Sequence, residues 1–273
     1  MNMMVKYFDV LCIKNNNSDA EIVQSLLSRH CLGSFLEDNI TNLYFEGGAK
    51  STIEKKIVDI IDSLKFDYYW DKQKKENWHL AWQNNFKPVI VNKKLVIIPH
   101  WQEKSNKKNV IKIKPGMAFG TGHHETTWLV LNKMMRYIKS DTIILDCGAG
   151  SGILSIAAKK LGAKKIDSVE YDLECRSNFF ENLQINGIKE GVNYHHADIL
   201  SWNFFNYDVI LANINKNIIK QLIPRLEASD SLIILSGLLH SDCSFIEDLI
   251  IKSGFQILDI TKKGEWVCLV IKR

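Results

Sequence analysis

The stretch Asp141-Thr-Ile-Ile-Leu-Asp-Cys-Gly-Ala-Gly-Ser-Gly152 constrains this chain more than any other. Its apolar run Ile143-Ile144-Leu145 stops at Asp146 and gives way to a turn carrying Gly148, Gly150 and Gly152. The pattern from Ile153 to Lys160 then predicts a helix. Strand, glycine turn and helix is how an α/β sheet offers a helix N-terminus to a nucleotide-like ligand. Spacing narrows the ligand. A dinucleotide fingerprint beginning at Gly148 needs a glycine at position 153, where this chain has Ile153.

A second signal lies downstream. Gly162-Ala163 closes the helix, and Lys165-Ile-Asp-Ser-Val-Glu170 reads as the next strand, with Glu170 at its C-terminal end, 24 residues beyond Asp146. A carboxylate there, accepting from two vicinal hydroxyls, is how such sheets hold a ribose.

The chain has 273 residues, enough for one large or two modest domains, and its 46% apolar and 24% charged content suits a soluble globular protein. No run approaches the roughly 18 apolar residues of a membrane span, and the start lacks a signal-peptide pattern. The six cysteines include no C-x-x-C pair, which points to reduced thiols in a cytoplasmic protein and away from zinc. Charge is uneven. Residues 1–70 carry 7 Lys/Arg against 10 Asp/Glu, whereas residues 71–114 carry 11 against 3. The basic segment fits proximity to RNA or an acidic surface as well as it fits a solvated face.

The element order predicts three parts: an α+β domain over 1–70, a connector over 71–114 and an α/β domain over 115–273. In the first, strands at Val5–Ile13, Gly33–Glu37, Leu43–Glu46 and Phe66–Trp70 alternate with a helix capped by Ser18 and one opened by a Ser51–Glu54 capping box, a ferredoxin-like order. In the connector, Trp78, Trp82 and Phe86 share a helix face as packing anchors, and strands follow at 89–91, 95–98 and 110–113. The third part alternates strand and helix as a parallel sheet requires, then ends in a hairpin around Lys262-Lys-Gly264. The expected architecture is a seven-stranded doubly wound sheet with a smaller N-terminal domain.

A second glycine-rich loop, Pro115-Gly-Met-Ala-Phe-Gly-Thr-Gly-His-His-Glu-Thr-Thr127, precedes a helix starting near Thr126. Phe119 can lid a ligand, and Thr126 or Thr127 offers a hydroxyl at the helix start. His123-His124-Glu125 lacks an i, i+4 partner and makes a poor zinc site, so no metal is expected.

The Asp146-to-Gly152 turn resembles motif I of S-adenosylmethionine-dependent methyltransferases, whose class I fold closes with such a hairpin. The 115–127 loop resembles the signature loop of the ribosomal protein L-eleven (L11) methyltransferase family. Asn77-Trp78 through Pro88, Ile153–Ala158, Asn182, Asn186-Gly187, Ala212-Asn213-Ile214, Leu235–Leu239 and Glu265-Trp266 are similar to the same family. The resemblance covers about residues 76–273 in motifs, and residues 1–70 only in element order. It implies S-adenosylmethionine as cofactor, touched by Thr127, Gly148, Glu170 and Asn213, with Phe119 and Gly150 joining them. It implies a ribosomal-protein substrate docked by the front domain, a monomer, and no strong direct binding of nucleic acid. Glu170 stands where the family usually has Asp, and Asn215 where Leu is common beside the reactive centre.

The implied reaction is attack by a neutral lysine or N-terminal amine on the sulfonium methyl, with Asn213 orienting the amine. Asn213-Ile-Asn-Lys216 lacks the prolines and aromatic that clamp planar amides and bases, which favours an sp³ amine. Competing readings are an RNA methyltransferase using the basic segment, a methyltransferase of another protein's lysine, and a cofactor-binding protein whose chemistry Asn215 has spoiled.

Overall fold

The computed structural model describes residues 7–14, 31–37, 40–54, 67–74, 87–102, 109–115, 119–120 and 122–273. The expected helices over 18–30 and 78–86 lie outside these residues. The chain divides into two units, Met1–Phe86 and Lys87–Arg273.

In the first unit, β1 (Tyr7–Lys14), β2 (Gly33–Glu37), β3 (Ile40–Glu46) and β4 (Tyr68–Lys74) form one antiparallel sheet in the order β2-β3-β1-β4. Alternation along the central strand sends its apolar residues to both faces. Leu11 and Ile13 pack with Leu43 and Phe45, while Phe8, Val10 and Cys12 pack on the other side with Ile40 and Tyr44. The helix after β3 does not begin with the expected capping box. It starts at Lys50, one residue before Ser51, because Asp9 Oδ2 accepts from the Gly48 and Lys50 amides at 2.9 and 3.0 Å. A buried carboxylate from a neighbouring strand thus does what a local cap does.

The second unit begins with β5 (Val89–Ile90), β6 (Leu95–Pro99) and β7 (Asn109–Ile113), a three-stranded sheet in the order β5-β6-β7. Its Leu95, Ile97, Ile111 and Ile113 belong to the core of the main sheet's first face. That sheet contains β8 (Ile143–Cys147), β9 (Lys165–Glu170), β10 (Val192–His196), β11 (Val209–Asn213), β12 (Leu232–Leu239), β13 (Gln256–Lys263) and β14 (Trp266–Lys272), ordered β10-β9-β8-β11-β12-β14-β13. The first five run parallel, and β14 inserts antiparallel between β12 and β13. The helices are α1 (Glu125–Tyr137), α2 (Ile153–Lys160), α3 (Cys175–Ile185), α4 (Lys216–Arg225) and α5 (Cys243–Lys252).

Both faces of this sheet are covered, which explains why its strands read as nearly continuous apolar runs. Ile144, Ile166 and Leu211 face α1, α2 and α3, whereas Leu145, Val169 and Ile210 face α4 and α5. Strand order reverses between β8 and β11. In such sheets the crevice beyond the carboxyl ends of the strands at that point is where ligands bind. Among the described residues, no helix is long and apolar enough to cross a membrane.

Candidate active site

At the switch point the turn after β8 is tied to its neighbours through its own backbone. The Gly148 amide donates to Val169 C=O at 2.8 Å, and the Gly150 amide to Glu170 Oε2 at 2.8 Å. Gly148 (φ 73°) lies in the left-handed region, and a Cβ there would meet Ile214 Cγ2 at 2.4 Å. A side chain at Gly148 therefore strikes the protein itself before any ligand.

The two glycine-rich loops lock together. The Ser151 amide donates to Phe119 C=O at 2.9 Å, and its hydroxyl donates to Gly120 C=O at 2.7 Å. Ile153, the residue that broke the dinucleotide spacing, opens α2 and is 3% exposed. Phe119 is 53% exposed and packs edge-on against His124. His124 caps α1, its Nδ1 accepting from the Thr126 amide at 3.3 Å, and its ring also packs against Trp266. That side chain is a helix cap with aromatic neighbours.

The carboxylate of Glu170 accepts from the Gly150 and Asp172 amides, each at 2.8 Å. A carboxylate takes about four hydrogen bonds, so about two acceptor positions remain for hydroxyls. On the neighbouring strand end, Asn213 Nδ2 donates to Thr127 Oγ1 at 3.3 Å, and Asn213 Oδ1 is buried without a partner. Thr127 itself is fully buried in the first turn of α1. Phe119, Thr127, Gly148, Gly150, Glu170 and Asn213 thus all lie along the carboxyl ends of β8, β9 and β11 or on the two segments that border them.

Asn215 has a structural task. Its side-chain oxygen accepts from the Asn217 amide at 2.7 Å and caps α4. Ile214 approaches β12 so closely that a Cβ on Gly237 would lie 2.1 Å from its carbonyl oxygen.

Sequence reasoning passed over two constructions. Asn178, Asn182 and Asn186 share one face of α3 and grip the chain leaving β7. Asn178 donates to Lys114 C=O (3.0 Å), Asn182 accepts from the Lys114 amide (2.8 Å), and Asn186 accepts from the Lys112 amide (2.9 Å). Asn182 also donates to Ser151 C=O at 2.9 Å, which joins this ladder to the turn. The i, i+4, i+8 spacing of three carboxamides was the available signal. The second is beneath the turn: Asp146, fully buried, accepts from Ser155 Oγ at 2.5 Å, and Ser155 Oγ lies 2.8 Å from Ser168 Oγ. Burial, aided by the nearby Glu170 charge and opposed by the Ser155 hydroxyl, pushes the Asp146 pKa up to about 6.

Residues 12–273 match the family model described as Ribosomal protein L11 methyltransferase (PrmA). A protein named ribosomal protein L11 methyltransferase from Prochlorococcus marinus (strain MIT 9312) is 33% identical, across 84% of this chain and 80% of its own. One from Dictyoglomus turgidum, under the same name, is 30% identical across 95% of this chain and 89% of its own. The crystal structure of a ribosomal protein L11 methylase from Lactobacillus delbrueckii subsp. bulgaricus superposes with a TM-score of 0.64 at 32% identity, covering 68% of this chain and 98% of that one.

Proposed function

We infer the reaction from one premise: the chain belongs to the ribosomal protein L11 methyltransferase family. It is a methyltransferase, its main domain has the class I methyltransferase-like α/β fold, and its methyl donor is S-adenosylmethionine. Its acceptors are lysine side-chain and/or N-terminal amines of ribosomal protein L11. The observation that carries this is Asn213 Oδ1, a buried acceptor with no partner beside the glycine turn at the switch point. A buried carbonyl oxygen left unpaired costs about 1–3 kcal/mol, and a donor from the cofactor or the incoming amine relieves that cost.

Thr127, Gly148, Gly150, Glu170 and Asn213 hold the cofactor, with Phe119 over it. Glu170 offers its remaining acceptor positions to the ribose hydroxyls, and Gly148 and Gly150 let the backbone come close. When bound, the cofactor supplies an electrophilic methyl group on a sulfonium. The residues of this chain do the rest. Asn213 accepts a hydrogen bond from the amine and aims its lone pair, and the apolar side chains of Phe119 and Ile214 keep water away. Exclusion of water favours an amine that has shed its proton, because burial disfavours the ammonium.

Residues 1–70 dock the substrate. Their four-stranded order supports a ferredoxin-like domain, since β-α-β-β-α-β connectivity gives this antiparallel arrangement. Residues 115–273 bind the cofactor, and residues 71–114 connect the two roles. The same reading makes the protein a cytoplasmic monomer without strong affinity of its own for nucleic acid.

The test is transfer of labelled methyl from S-adenosylmethionine to purified L11, to a second lysine-rich ribosomal protein and to stripped ribosomal RNA. Label in L11 alone is expected. Label in RNA alone overturns the reading in favour of an RNA methyltransferase, and label in both proteins equally removes the specificity for L11. A chain starting near Asp71, which keeps the connector with Trp78, Trp82 and Phe86, is expected to bind S-adenosylmethionine and to lose transfer to L11, because amine positioning draws on contacts made far from the methyl group. Full transfer by that shortened chain would remove the docking role.

A further inference from the structure

Two carboxylates, Asp146 and Glu170, end the neighbouring strands β8 and β9, and neither makes an ion pair among the described residues. Glu170 is compensated by two backbone amides. Asp146 is compensated from Ser155 alone, whose hydroxyl donates to Oδ2 and whose backbone amide in the first turn of α2 also favours the carboxylate, while Oδ1 is buried with no hydrogen-bond partner. Ser155 has a single hydroxyl proton and gives it to Asp146, so the Ser168 hydroxyl must donate to Ser155. The result is a buried relay, Ser168 to Ser155 to Asp146, in which each bond polarises the next. Asp146 and Ser168 sit opposite each other in the β8–β9 register, which fixes the relay in the sheet.

The groups facing Asp146 from other elements are few. Glu170 contributes like charge, the adjacent Cys147 thiol is itself pushed well above its usual pKa by burial, and Leu211 opposite on β11 is apolar. Besides the Ser155 hydroxyl and amide at the start of α2, nothing positive faces Asp146 among the described residues, a shortage of positive charge beneath the turn. Resting on the cofactor reading above, this shortage has a consequence for choice between two nearly identical ligands. S-adenosylmethionine carries one net positive charge, while the product S-adenosylhomocysteine, having lost the methyl, carries none. A buried negative charge acts over several ångströms in a low-dielectric interior and favours the cation.

We propose that Ser155 and Ser168 are positioning residues that keep Asp146 ionised beneath the glycine turn, and that its uncompensated charge makes the enzyme prefer cationic S-adenosylmethionine over its neutral product. Asp146 is fully buried and acts through its field. The benefit is turnover, since the charge that favours the donor stops favouring the ligand once the methyl has left.

Two pH effects of opposite sign follow. The folded-state pKa of about 6 lies above the ordinary carboxylate value of 3.8. Stability from this group is therefore fully present at low pH and is lost as pH rises through about 6. Preference for the cation runs the other way and is lost as pH falls through the same value. Binding of the cation near that pH also expels the Asp146 proton.

The experiment is calorimetric titration of the full-length chain with S-adenosylmethionine and with S-adenosylhomocysteine, across a pH range bracketing about 6 and in buffers of differing ionisation enthalpy. In the wild type, the affinity ratio of donor to product is expected to fall severalfold as pH falls, with proton release accompanying the donor only. Ser155→Ala should move that midpoint up by about one pH unit, the scale of a lost hydrogen bond to a charged group. Ser168→Ala, one bond further out, should move it less in the same direction, and it serves where Ser155→Ala does not fold. Asp146→Asn should give a ratio that no longer depends on pH. A pH-independent ratio in the wild type, or an unchanged midpoint in folded Ser155→Ala and Ser168→Ala, overturns the proposal. A pH-dependent ratio persisting in Asp146→Asn assigns the effect to another group and overturns it too. If the wild type binds neither ligand, the cofactor reading itself fails.

Discussion

The two units solve the same problem, a buried carboxylate near a strand and a turn, in opposite ways. In the first, Asp9 accepts two backbone amides and starts a helix, and its role ends there. In the second, Asp146 is held by the hydroxyl and amide of Ser155 and keeps an unpartnered buried oxygen beneath the turn expected to hold the cofactor. A carboxylate that gathers two backbone amides stabilises a fold, whereas one with a buried oxygen left unpartnered holds back interaction energy for a ligand. The Asp9 carboxylate accordingly reads as part of the scaffold of its unit, and the switch point of the second unit as the place where chemistry is prepared.

The most severe challenge to that contrast is Gly148→Val. It should abolish S-adenosylmethionine binding, and because a Cβ there would meet Ile214 at 2.4 Å, it should also lower the thermal midpoint of the ligand-free protein. Unchanged ligand-free stability together with lost binding would mean that the glycine serves the ligand alone. Next comes Asp259→Asn. Lys133 has a side chain only 9% exposed and pairs with Asp259 at 2.5 Å. Stranding that ammonium should cost about 3 kcal/mol in denaturant unfolding, with cofactor affinity unchanged at saturating protein stability. The pair holds the Asp259 pKa below the ordinary carboxylate value, against the opposing effect of burial. Its stabilisation is thus present above the unfolded carboxylate pKa and is lost as acidification passes through the folded one. An acid limb of the stability curve that is the same in wild type and Asp259→Asn would remove this assignment.

Glu170→Ala should weaken S-adenosylmethionine binding by about 1.5–3 kcal/mol, the value of hydrogen bonds to a charged group, as read by calorimetry. An affinity equal to wild type would leave Glu170 as a turn-builder only and bring it close to Asp9 in kind. The mildest effect belongs to Asp9→Asn. One amide oxygen can still accept, so the loss should be about 1 kcal/mol of stability with cofactor affinity unaltered. A changed affinity would break the separation between the units.

Much of this was legible because chemistry leaves residues that packing does not choose. The Asp146-to-Gly152 turn, Glu170 at its strand end and the 115–127 loop pointed to the ligand class, and Gly148, Gly150, Glu170 and Asn213 stand at or just beyond the carboxyl ends of β8, β9 and β11. Strand and helix positions in the second unit follow from apolar runs flanked by glycine, and their bounds agree to within a few residues. The capping box at Ser51–Glu54 misled because its competitor, Asp9, lies 41 residues from Lys50 in the chain and next to it in space. Asn215 stood out because the resembled family commonly has Leu there, and nothing in the sequence signalled that its carboxamide caps the following helix.

The sequence alone therefore determined the strands and helices of the second unit and, through the resemblance its glycine turn and loop carry, the kind of ligand, since period, glycine spacing and one strand-end acid are local quantities. The strand order and its switch point are tertiary. Only the tertiary structure decided what each polar group does. A carboxylate becomes the start of a helix, the tie of a glycine turn or the end of a buried hydroxyl relay according to the donors brought within about 3 Å of it. Those donors, Lys50 for Asp9, Gly150 for Glu170 and Ser155 for Asp146, come from other elements, and burial then sets what a missing one costs.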